Sequence, residues 1–62
     1  MAIDEKTYRI KTDNDILYWI VKKHGSYYVS RSGHGDLGTT NTLEEALAII
    51  KADSGSGISS IT

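Results

Sequence analysis

Strand-like alternation across residues 7–31, followed by one stretch of helical periodicity, predicts an α+β domain. The expected fold is a three-stranded antiparallel meander, with room for a short fourth edge strand, packed on one face by a single C-terminal helix (β-β-β-α). The helix signal is the stronger of the two. Thr42 is followed three residues later by Glu45, a capping box in which each side chain can satisfy an orphan backbone donor. Leu43, Ala46, Leu47 and Ile50 then recur at i, i+3, i+4 and i+7, which lays one apolar stripe along one face.

The elements follow in order. Thr7 to Thr12 alternates Tyr8 and Ile10 with Arg9 and Lys11, as in a strand with one buried face. Asp13-Asn14-Asp15 is turn chemistry, because short polar side chains bond their own backbone and tolerate left-handed geometry. Ile16 to Lys23 (ILYWIVKK) is rich in β-branched and aromatic residues and apolar at consecutive positions, which suits a central strand covered at least partly on both faces. His24-Gly25 fits a two-residue hairpin turn, and Ser26 to Arg31 returns as the third strand. Ser32 to Asn41 carries Gly33, Gly35 and Gly38; within it, Leu37 to Thr40 could pair briefly at an edge. The helix is expected over about residues 43–53, ended by Ser54-Gly55.

Residues 1–53 therefore read as a single small domain and residues 54–62 as a flexible Ser/Gly-rich tail, in which Ile58 and Ile61 leave room for a short strand. Facing the helix, the alternation favours Tyr8 and Ile10, then Leu17, Trp19 and Val21, with Tyr27 and Val29 or their neighbours. A one-residue slip in register would replace Trp19 with Tyr18 as the inward residue.

A chain of 62 residues is one domain near the lower size limit for independent folding. It has no cysteine, so packing or a partner subunit must supply what disulfides or thiolate metal sites supply elsewhere. The polar, acidic start Met1 to Glu5 is unlike a signal peptide, and the longest apolar run, Ile16 to Val21, is far short of the ~20 residues of a membrane helix. These features point to a soluble, cytoplasmic protein without a membrane partner.

Charge is nearly balanced overall but unevenly placed. Residues 6–35 hold Lys6, Arg9, Lys11, Lys22, Lys23 and Arg31 against Asp13 and Asp15 alone. The flanking segments carry Asp4, Glu5, Asp36, Glu44, Glu45 and Asp53 against Lys51. The sheet is thus expected to be basic and the helix acidic.

The residues that could carry chemistry argue against catalysis. His24 and His34 lack the spacing and companions of a metal site. The loop Gly33 to Gly38 has neither the Gly-Lys-Ser/Thr of a phosphate loop nor a βαβ unit around it. No cofactor, metal or catalytic residue is expected, and the protein reads as a non-enzyme.

Five aromatics, Tyr8, Tyr18, Trp19, Tyr27 and Tyr28, cannot all face one helix. Those left outside, among lysines and arginines, make a candidate binding surface of Arg9, Lys11, Tyr18, Lys22, Lys23, Tyr28 and Arg31. Such a face suits a protein partner, a second copy of the chain included, because tyrosine and arginine are enriched at interface hot spots. It also suits nucleic acid, through phosphate contacts and stacking. The expected function is a small regulatory or adaptor protein that binds a protein partner through the sheet face or an edge strand, with nucleic-acid binding as the alternative.

The strand order, the aromatic on the middle strand, Gly38 and the helix opening Thr42 to Ala46 give the chain a resemblance. The arrangement is similar to the DNA-binding domains of plant Apetala-type factors and the arm-binding domains of phage integrases. The likeness spans residues 7–52 as topology, and it implies a sheet face able to enter the major groove. The third strand has fewer basic residues than that pattern, and no binding residue carries over.

Overall fold

The computed structural model describes residues 5–62; the acidic start, Met1 to Asp4, lies outside them. The fold is α+β, a five-stranded antiparallel sheet and one helix. The strands are β1 (Lys6–Thr12), β2 (Leu17–Lys23), β3 (Ser26–Arg31), β4 (Gly35–Thr40) and β5 (Ile58–Ile61), with α1 (Leu43–Ser54) between the last two. The sheet order is β4-β3-β2-β1-β5.

The predicted meander is present, and both of its turns form as their residues require. His24 (φ 52°) and Gly25 (φ 77°) both occupy the left-handed region, the geometry that lets a two-residue turn follow the twist of its strands. Asp15 (φ 64°) closes the first connection.

Three expectations need correction, two of strand extent and one of the face that packs inward. Residues 35–40 form a full fourth strand, which the glycines permit because a β-bulge between the pairs Val29–Gly38 and Ser30–Asp36 absorbs the extra residue. Gly35, at φ 81°, starts the strand in a conformation that suits glycine. The second correction concerns the end of the chain. Residues 58–61, expected within a flexible tail, form β5 beside β1, so α1 is a crossover between the two edge strands and not the terminal element. Low complexity does not prevent this, since a ladder is made by backbone groups. Arg9 and Thr62 exchange N–H···O bonds of 2.9 Å in both directions, and the Asp13 N–H donates to the Gly57 carbonyl at 2.9 Å.

The helix forms between its predicted caps, with one of the two backbone bonds of the capping box made and the Glu45 carboxylate accepting from the Thr42 hydroxyl instead. Thr42 is extended (φ −135°, ψ 156°), and its Oγ1 accepts from the Glu45 N–H at 3.1 Å. Gly55 (φ 67°) ends the helix, its N–H donating to the Lys51 carbonyl. Ala46 and Ile50 are fully buried, with Leu43, Leu47 and Ile49 half-buried beside them. The helix lies against β3 and β4.

The core corrects the expected parity of the central strand. Ile10, Tyr18, Ile20, Val29, Ala46 and Ile50 are fully buried, whereas Leu17, Trp19 and Val21 point to the opposite face. Because β2 is apolar on both faces, its periodicity cannot choose between them. Pairing chooses: Ile10 lies opposite Tyr18, Tyr8 opposite Ile20, and Ile20 opposite Val29. The alternation of β1 is therefore transmitted across the sheet, and Tyr18 and Ile20 are carried under the helix.

This parity makes a direct prediction for stability. Ile20→Ala should cost about 2–5 kcal/mol, whereas Val21→Ala, one residue along on the uncovered face, should cost about 1 kcal/mol or less. Urea denaturation of the two variants measures both, and the reverse order would mean that the faces are exchanged.

Candidate functional site

The helix covers one face, and among the described residues no element covers the other, open face of the sheet. Its residues fall in rows set by the ladder. Across β1, β2, β3 and β4 the central row reads Arg9, Trp19, Ser30, Asp36. The next row reads Thr7, Val21, Tyr28, Thr39. Lys11 pairs with Leu17 beyond the first row, and Lys23 with Ser26 beyond the second. The middle of the face is therefore an apolar and aromatic strip of Leu17, Trp19, Val21 and Tyr28. Hydroxyl side chains surround it, with cations toward β1 and at one end of β2, and a carboxylate on β4.

Trp19 is half-buried, while Tyr28 is 41% exposed. Lys11 is already engaged, with its Nζ 3.5 Å from Asp15. Arg9 and Asp36 are both exposed and stand at opposite ends of one row, too far apart to meet within a molecule.

Of the seven residues expected to form a binding surface, the structure brings together Arg9, Lys11, Lys23 and Tyr28. Tyr18, Lys22 and Arg31 lie on the helix side. Lys22 is half-buried opposite Tyr27. Tyr18 is fully buried and does not belong to the surface: its Oη donates to Asp53 Oδ2 at 2.7 Å. The same oxygen accepts from Arg31 Nη1 at 3.0 Å, and the Arg31 guanidinium lies 5.9 Å from the centre of the Tyr18 ring. This cluster pins the C-terminal turn of α1 to the sheet. It gives Tyr18 and Arg31 a structural role and explains why a tyrosine rather than an aliphatic residue sits there.

Sequence reasoning misses Trp19, Leu17 and Val21, which the alternation favours for the core, and Asp36, which lies in the glycine-rich segment. The unbroken apolar run of β2 signalled two covered faces, but nothing local said which half would remain outside. His24 and His34 stand in separate turns, and among the described residues no three His, Cys, Asp or Glu side chains are grouped to hold a metal ion. No pocket opens among the described residues, so the site is a surface. No helix of the described chain is long and apolar enough to cross a membrane. Comparison with protein-family models, with curated proteins and with solved structures finds no match to this chain.

Burial, then the bond to Asp53, raises the pKa of the Tyr18 hydroxyl above its ordinary value near 10. A raised folded value means that the stabilisation is fully present below the ordinary value and is lost as pH rises through the folded one. Stability should therefore fall above about pH 10, and Tyr18→Phe should remove part of that fall. Urea midpoints of both proteins between neutral pH and about pH 11 read this out; parallel curves would show that folding leaves the proton affinity of the Tyr18 hydroxyl unchanged.

Proposed function

We propose that this protein is a non-catalytic binding module, a small regulatory or adaptor domain whose partner is a protein docked on the uncovered sheet face. One observation carries the reading: Trp19, with Leu17, Val21 and Tyr28, forms an apolar strip on the side of the sheet that the helix leaves open. Large apolar side chains gathered on an uncovered face mark interaction surfaces in proteins this small, where every buried residue matters for folding. Tryptophan, tyrosine and arginine are also the residues that dominate binding energy at interfaces.

A second reading has its own observation. Arg9 is the direct cross-strand neighbour of Trp19, with Lys11 and Lys23 on the same face. That combination of ring and cation suits stacking of unpaired bases between phosphate contacts. Asp36, at the far end of the row that holds Trp19, opposes a polyanion laid across the strands, and this favours the protein partner.

A photo-crosslinking residue in place of Tyr28, compared with the same residue in place of the exposed Glu44 on the helix, tests the assignment in the cell. Protein adducts are expected from position 28 and not from position 44. Adducts to nucleic acid from position 28, lost as salt is raised over the range in which phosphate contacts collapse, would establish the second reading instead. Equal adducts from both positions would remove the open face as the site.

A further inference from the structure

The open face is complementary to itself. We propose that the docked partner is a second copy of this chain, packed sheet to sheet about a two-fold axis that runs along the strands between β2 and β3. The inference rests on the open face being the docking surface and adds what occupies it.

The argument is one of register. A two-fold axis parallel to the strands reverses their order and leaves positions along the strands unchanged. It therefore sets β1 of one copy over β4 of the other, and β2 over β3. Along the central row, Arg9 then faces Asp36 of the second copy, and Trp19 faces Ser30 of the second copy. Along the next row, Val21 faces Tyr28 of the second copy, and Thr7 faces Thr39 of the second copy.

Packed sheets lie about 10 Å apart with interdigitating side chains, so long residues must meet short ones. Trp19 over Ser30 and Tyr28 over Val21 meet that condition, and the two indole rings come side by side at the axis. Charge closes in the same way. Arg9 and Asp36 have no ion-pair partner among the described residues within the molecule, and the symmetry joins them twice. Of the remaining cations, Lys11 is held by Asp15 and Lys23 stands at the rim, exposed to solvent. A nucleic acid would leave Asp36 opposed to phosphate. A two-fold partner uses every charged residue in the central row.

The test uses the full chain. Sedimentation equilibrium across the range between about 1 µM and about 1 mM, where specific but modest self-association falls, should show a reversible monomer–dimer equilibrium. Trp19 is the one tryptophan in the chain, so its emission should shift to the blue over the same concentrations. Arg9→Asp and Asp36→Arg should each raise the dissociation constant about tenfold or more by placing like charges opposite one another. The double variant should return it to within about threefold of the original, because the exchanged pair is again complementary. Both substitutions are at exposed positions, and circular dichroism verifies that the variants fold.

A chain that stays monomeric throughout that range with native circular dichroism overturns the inference. So does a dimer indifferent to Trp19→Ala and to both charge reversals, which would associate elsewhere. A monomer that still yields adducts to a different protein from position 28 keeps the open face as a docking surface while removing the second copy. A monomer with no adducts from position 28 removes both.

Discussion

The cross-strand pairing of Ile10 with Tyr18, and of Ile20 with Val29, is the constraint from which the rest of the molecule follows. Side chains directly opposite in a ladder share a face, so one register decides the inward residue of every strand it links. β1 has a clear alternation and β2 does not; the pairing imposes the first on the second. Once Tyr18 and Ile20 point to the helix, Ile50 and Ala46 have a surface to cover. Trp19 and Val21 are then committed to the other side.

A polar cluster secures the same arrangement. Asp53, near the end of α1, accepts bonds from both Tyr18 and Arg31, neighbours on β2 and β3. Because the tyrosine is buried, its hydroxyl needs an acceptor, and the helix supplies one at its last turn. At the adjoining corner Asn14 donates to the Ser54 carbonyl at 3.0 Å, and Thr12, fully buried, bonds within the first turn. The crossover from β4 to β5 is thus held where it leaves the helix, which lets a stretch of serine and glycine become an ordered edge strand.

The open face follows from the single covering helix. One helix of twelve residues can cover only one side of a five-stranded sheet, and among the described residues no second helix covers the other. The molecule therefore presents a surface that is apolar at its centre and polar at its margins, the anatomy of an interface core and rim. The cations expected for the sheet are divided by the register. Arg9, Lys11 and Lys23 stand on the open face, whereas Arg31 is drawn into the cluster with Asp53.

What the sequence determined by itself was everything governed by local chemistry. Thr42, Glu45 and Gly55 announced the helix ends because caps are made by residues a few positions apart, and His24-Gly25 announced its turn because both must take positive φ. The class, α+β with an antiparallel meander and one covering helix, followed from two periodicities. Tertiary structure alone decided the rest. Residues 35–40 and 58–61 became strands because partner backbones on β3 and β1 completed their hydrogen bonds, information absent from glycine- and serine-rich segments. The choice between Tyr18 and Trp19 was equally invisible, since both neighbours are large and aromatic and either suits a core. Only the pairing with Ile10, and an acceptor on a helix 35 residues away, separates the buried ring from the one on the open face.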